Sequence, residues 1–145
     1  MKNRNLIHVD NWATPPEFYN ELNKKFNFDF DPCPYNEGDI VNDGLKIEWG
    51  NVNYINPPYS RALKEAFVIK AIEESKKGKI CVMLLPVSTS TKLFHEWIKP
   101  NAKEIEFIKG RLKFGKIDEH GNFYLPKNKE GKTQTGMHDS MIVIF

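Results

Sequence analysis

Ile80-Cys81-Val82-Met83-Leu84-Leu85 is an unbroken apolar run without a polar face. A strand that covers only one side of a core alternates apolar and polar residues; a run without alternation suits a strand buried on both faces of a sheet. Upstream, Ser60 stands where it can cap a helix running to about Lys77, with Leu63, Ala66, Phe67 and Ala71 on one face and Gly78 as its stop. Val52-Asn53-Tyr54-Ile55 reads as a strand broken at once by Pro57-Pro58. Downstream come a short helix around Lys92 to Ile98, a strand near Ile105 to Ile108, and a closing strand at Met141–Phe145. Gly110 to Phe114 has the makings of one more strand, whereas 115–136 is loop-like.

Nearer the start, Thr14-Pro15-Pro16-Glu17 has the spacing of a capping box, with Pro15 at the first helical position. Phe18, Leu22 and Phe26 recur every fourth residue, which predicts a helix over about 15–26. Phe28-Asp29-Phe30-Asp31 alternates like a short strand until Pro32 and Pro34 stop it, and the polar stretch from Tyr35 to Asp43 is loop. Strands alternating with helices predict an α/β fold with a mostly parallel central sheet, and 145 residues suit a single domain over 1–145.

Bulk composition excludes more than it identifies. With 40% hydrophobic and 28% charged residues the chain is ordinary for a soluble protein, and no apolar run nears the roughly 18 residues of a membrane span. Met1 to His8 lacks the apolar stretch of a secretory signal, so the expected compartment is the cytoplasm. Cys33 and Cys81 form no C-x-x-C pair, and His8, His95, His120 and His138 are scattered, so no metal site is expected. A net charge of +2 permits nucleic-acid binding without requiring it. Lysine and arginine are dense from Lys109 to Lys132, among Phe114, Phe123 and Tyr124; such a segment is either a solvated loop or a phosphate-contacting one.

Asn56-Pro57-Pro58-Tyr59 carries the chemistry. It follows directly on a predicted strand, and open α/β sheets bind ligands beyond the carboxyl ends of their strands. An aromatic amino group is a weak nucleophile because its lone pair is delocalised into the ring. Two acceptors placed at its hydrogens favour a pyramidal nitrogen and localise that pair. The Asn56 side-chain oxygen and the Pro57 carbonyl can be those acceptors, held by the fixed φ of Pro57 and Pro58. Tyr59 offers a flat face on which an extruded base can stack. A sulfonium methyl held in line could then transfer by direct displacement.

The tetrapeptide matches the [D/N/S]-P-P-[Y/F/W] signature of amino-methyltransferases. Together with Trp12-x-Thr14-Pro15, Asp31-Pro32-Cys33, Asp43-Gly44-Leu45 and Trp49, it resembles the phage-type DNA N6-adenine methyltransferase family. Ser60, Met83-Leu84-Leu85-Pro86, Gly110-Arg111-Leu112-x-Phe114 and Ser140-Met141-Ile142-Val143 extend the resemblance over most of the chain, in order. It implies a compact Rossmann-like methyltransferase fold, S-adenosylmethionine as methyl donor, DNA as partner and a phage or prophage origin. Asn56, Pro57, Pro58 and Tyr59 are then the catalytic residues, and Thr14, Pro15, Asp31, Pro32, Cys33 and Asp43 the candidate cofactor-binding ones. Asp31 can bind the donor's ammonium group or make a strand-end turn; Asp43 either binds the donor's ribose or adenine or makes the Asp43-Gly44 turn. Ser60, Lys109, Arg111 and Lys113 are the candidate DNA contacts.

The chain departs from a standard methyltransferase core in two ways. No glycine-rich cofactor loop is present, with only Gly38 near Asp31, and the stretch from Asp31 to Asn56 is too short for a full set of elements. Specificity therefore falls to loops, with Gly110 to Gly136 the best candidate. The same constellation suits the N4 amino group of cytosine, a free nucleotide or a protein glutamine. A DNA-binding protein that keeps the fold without turnover is the non-enzymatic alternative, although a pure binder needs no paired acceptors.

Overall fold

The computed structural model describes residues 12–35, 43–133 and 138–145. Gly38, most of the polar stretch before Asp43, and the side chain of Asp43 itself lie outside the described residues.

The elements are helix α1 (Pro16–Phe26), strand β1 (Val52–Ile55), helix α2 (Arg61–Ser75), strand β2 (Ile80–Pro86), a π-helical segment (Leu93–Ile98) continuing into α3 (Lys99–Asn101), and strands β3 (Glu104–Phe107), β4 (Lys116–Ile117), β5 (Phe123–Tyr124) and β6 (Ser140–Ile144). The apolar run is β2, and its residues divide between two cores. Cys81, Met83 and Leu85 face Phe67, Val68, Ala71 and Ile72 of α2, with Phe94 and Ile98 beside them. Val82 and Leu84 face the opposite way, with Tyr54, Phe114 and Ile142, against Phe18, Tyr19, Leu22 and Phe26 of α1. Side chains that alternate across a strand thus bury β2 on both sides, and the sheet lies between two helical layers.

The sheet order is β1-β2-β6-β3. Strands β1 and β2 are parallel, with Val52 opposite Ile80 and Ile55 opposite Met83. Strand β6 runs antiparallel to both β2 and β3. The sheet is therefore mixed rather than mostly parallel. A parallel neighbour needs a crossover to the far end of the sheet, but the chain after β3 stays near the end where β3 stops. There the Ile108 amide already bonds the Ser140 carbonyl at 2.9 Å, so β6 starts at that end and runs back.

Other local expectations also change. Helix α1 begins one residue later than the capping box implies: Pro15 occupies the cap position, no side chain caps the helix, and Pro16 is in its first turn. The Thr14 hydroxyl is drawn away by Tyr54, whose hydroxyl lies 2.5 Å from it. Asn27 ends the helix in the left-handed region at φ 55°, where a short polar side chain is tolerated. The strand expected at 28–31 shrinks to a parallel bridge between Phe30 and Asn53, because Asp31 turns the chain by accepting the Cys33 amide at 2.8 Å. Helix α2 has Ser60 at its cap position, as expected, but without a side-chain cap bond. Gly110–Phe114 forms no strand, and the supposed loop beyond it holds the β4–β5 hairpin. Asp118 Oδ1 closes that hairpin's turn by accepting the amides of His120 and Asn122, both at 2.9 Å.

Candidate active site

Phe30 and β1 are adjacent and parallel, so the turns that leave them, Asp31-Pro32-Cys33 and Asn56-Pro57-Pro58, emerge side by side. Between them lies a cleft of about 220 Å³ whose walls include Trp12, Thr14, Tyr19, Asp31, Cys33, Tyr54, Asn56, Pro57, Pro58 and Ile117. The crevice stands at the carboxyl ends of the strands, where open α/β sheets bind ligands. Trp12-Ala13-Thr14 forms one wall, held by the paired amides and carbonyls of Ala13 and Gly115 at 2.8 and 3.1 Å. Lys116 rests over the Trp12 ring, 4.9 Å from its centre.

Asn56 is fixed by long-range contacts. Its Nδ2 donates to the Trp12 carbonyl at 3.2 Å and to Thr14 Oγ1 at 3.1 Å. A backbone carbonyl can only accept, so the nitrogen must point that way and the Oδ1 the other. Among the described residues no donor pairs with Oδ1 or with the Pro57 carbonyl, and both residues line the cleft. Pro57 and Pro58 are buried, which fixes the turn.

Asp31 also lines the cleft, with burial pushing its carboxyl up to about 6 against the pull of the Cys33 amide. Burial, and the nearby Asp31 charge, push the Cys33 thiol up to about 12, so it is no nucleophile at neutral pH. Pro15 caps α1 just outside, and Pro32 is buried beneath the Asp31 turn. The backbone at Gly44 approaches Pro32 so closely that an added Cβ would collide with the Pro32 carbonyl. Gly44 is in turn gripped by the buried Trp49, whose indole N–H donates to the Gly44 carbonyl at 2.7 Å. The Asp43-Gly44-Leu45 turn and Trp49 thus brace the cleft wall from behind.

That brace ends in a buried charge. Glu74, fully buried in α2, accepts the Trp49 amide at 3.1 Å and pairs with Lys79 at 2.6 Å, Lys77 at 3.0 Å and Lys70 at 3.2 Å. Burial alone would raise its pKa; the bonds from Lys79, Lys77, the Trp49 amide and Lys70 outweigh it and hold the carboxyl near 2.

Tyr59 lies outside the cleft wall. Its hydroxyl is 2.7 Å from His138 Nε2, and its ring meets Phe114 and His138 edge-on. Lys109, Arg111 and Lys113 are exposed, and Arg111 pairs with Asp139 at 3.0 Å across the surface. Hence the structure gathers Thr14, Asp31, Cys33, Asn56, Pro57 and Pro58 around one cleft and sets Tyr59 and Ser60 at its flank, while the basic trio is exposed and lines no part of that cleft. Among the described residues no cluster of His, Cys, Asp and Glu could hold a metal, and no helix is long and apolar enough to cross a membrane.

The model of the DNA N-6-adenine-methyltransferase (Dam) family matches residues 3–145, nearly the whole chain. The chain belongs to the Dam family. No curated protein and no solved structure matches it. The Dam match spans every block that lines the cleft, from Trp12 to Ile117, and also includes contributors that local sequence did not single out. Tyr54 is one: on β1 it looks like an ordinary core aromatic, but it is 3% exposed and its hydroxyl meets Thr14. Tyr19 and Ile117 are others, and His138 joins Tyr59 beside the cleft; none sits in a pattern that periodicity could expose.

Proposed function

We propose that this Dam-family chain transfers a methyl group from S-adenosylmethionine to the N6 amino group of adenine at specific sites in DNA, on an abbreviated Rossmann-like core. The carrying observation is the orientation of Asn56. With both amide hydrogens held by Trp12 and Thr14, its oxygen is left as a preorganised acceptor beside the Pro57 carbonyl. Two such acceptors at one amino group favour its pyramidal form and meet the positive charge that grows on nitrogen as it bonds to carbon. Because the dipoles are already oriented, little reorganisation is needed during reaction.

The cleft also has groups suited to the donor. The Trp12 indole N–H is buried and has no partner among the described residues, an arrangement that an acceptor on a ligand would relieve. Asp31, whose carboxyl pKa burial raises to about 6, gains from a cation such as the donor's ammonium group, which favours its charged form. Thr14 and Cys33 add polar edges, and Tyr19 a flat apolar one. When bound, S-adenosylmethionine supplies an electrophilic sulfonium methyl. Removal of the amino proton follows bond formation; once alkylated, the nitrogen is acidic enough to release it to water.

Incubation with isotopically labelled donor and DNA, followed by nucleoside analysis, tests the proposal. Label in N6-methyladenine is the expected result. Label only in N4-methylcytosine, or donor binding without transfer to DNA, would overturn it.

A further inference from the structure

Beside the cleft, His138, Phe114, Tyr59 and Ser140 form a compact group brought together from three distant stretches of chain. The imidazole stacks on the fully buried Phe114, with centroids 5.0 Å apart and planes at 29°. Tyr59 meets it edge-on at 4.9 Å and 71°, and meets Phe114 at 6.2 Å and 86°. The hydrogen bonds assign the tautomer. His138 Nδ1 lies 3.2 Å from the Asp139 carbonyl, which can only accept, so Nδ1 carries the proton. Ser140 Oγ donates to the His138 carbonyl at 3.4 Å, leaving a lone pair toward Nδ1–H at 3.3 Å. Nε2 is therefore the acceptor, and the Tyr59 hydroxyl, 2.7 Å away, donates to it.

We infer that His138 is a positioning residue for Tyr59: its neutral imidazole holds the tyrosine hydroxyl and so fixes the ring that receives the extruded base. The inference rests on the proposed base methylation. A stacking face alone would be served equally by phenylalanine, whereas here the ring's hydroxyl end is tethered to His138 and the ring packs steeply inclined to Phe114 and His138. Rotation of Tyr59 about its side-chain bonds is thereby restricted before DNA arrives, which lowers the entropy cost of capture. The surroundings keep the imidazole neutral. Burial depresses its pKa, and Lys64 from α2 and Arg111 from the segment after β3 act the same way, while Asp139 opposes them through its carbonyl and its charge.

A double-mutant cycle on the full chain tests the pairing. His138→Leu and Tyr59→Phe should each raise KM for DNA by about 2–10-fold, the range of one net hydrogen bond, with donor affinity unchanged. The double variant should be no worse than either single one, because both remove the same bond. His138→Gln, which keeps an acceptor, should recover part of the loss. Additive effects, or equal losses in His138→Leu and His138→Gln, would overturn the inference while leaving the methyltransferase reading intact. Nitrogen NMR of the ligand-free protein decides the bond independently of turnover: an imidazole protonated on Nδ1, with Nε2 shifted by Tyr59→Phe, is expected. Protonation on Nε2 in the neutral ring would overturn it even if the parent protein proved inactive on DNA.

Discussion

The Thr14 hydroxyl touches Asn56 Nδ2 at 3.1 Å and the Tyr54 hydroxyl at 2.5 Å, so one small side chain near the start of the chain orients the candidate catalytic amide. Thr14→Val keeps the shape but removes that oxygen. It should lower kcat more than it raises KM, and should destabilise the fold by about 1–3 kcal/mol by leaving the buried Tyr54 hydroxyl unpaired. Thr14→Ser should restore both. Single-turnover rates and thermal melts of the two variants check this; equal behaviour of valine and serine would remove Thr14 from the site.

Loss of Asn56 should strike the chemical step. An acceptor that strengthens as the nitrogen gains charge contributes more to the transition state than to the ground state. Asn56→Ala should therefore slow methyl transfer by about 10²–10³ in single-turnover assays with saturating donor and DNA, with donor affinity little changed. Asn56→Asp keeps an acceptor but puts a second oxygen against the Trp12 carbonyl, where Nδ2 now sits at 3.2 Å. Its rate should fall between those of the parent and the alanine variant.

Asp31 links binding to pH. Its folded pKa is raised from 3.8 to about 6, so in the ligand-free protein this group favours folding at low pH and that advantage is lost as pH rises from about 4 to 6. The displacement corresponds to roughly 2–3 kcal/mol. Asp31→Asn, which still accepts the Cys33 amide, should raise the melting temperature at neutral pH and flatten that dependence. The same change should weaken donor binding by about 1.5–3 kcal/mol, and parent affinity should rise with pH through about 6. Calorimetry across pH 4.5–7.5 gives both; a donor affinity independent of pH and of Asp31 would separate this carboxylate from the cofactor.

Glu74 has the opposite sign. Its folded pKa is lowered from 4.5 to about 2, so its stabilisation is present above about pH 4.5 and is lost as pH falls toward 2. Glu74→Gln removes the carboxylate from three lysines and should cost about 3 kcal/mol at neutral pH, as breaking a buried ion pair typically does. Denaturant titrations at pH 7 and 3 should show the gap between parent and variant narrowing in acid. Since Glu74 braces Trp49 and Gly44, donor affinity of the folded variant should fall as well.

Arg111 and Asp139 are 60% and 70% exposed, so their ion pair contributes little to stability. If Arg111 touches phosphate, Arg111→Ala should reduce the slope of log affinity against log salt by about one, and Lys113→Ala should do the same only if it shares that role. Filter binding over a salt series measures the slope. Unchanged slopes would assign this surface to solvent.

Sequence alone determined the features that depend on near neighbours. The β2 run marked a strand covered on both faces, Ser60 and Gly78 bracketed α2 closely, and Asn56-Pro57-Pro58 had to be a rigid turn at a strand's carboxyl end. These follow from periodicity, fixed φ and turn chemistry, all set within a few residues. Tertiary structure decided the rest. Thr14 left its capping box because Tyr54, 40 residues away, offered a shorter bond. β6 entered between β2 and β3 and reversed the expected direction, since only the folded chain shows at which end of the sheet the return begins. Glu74 among three lysines and His138 against Tyr59, 79 residues apart, are likewise invisible to local pattern. A hydrogen bond has no preferred sequence separation, so which donor reaches which acceptor is fixed only when the layers pack.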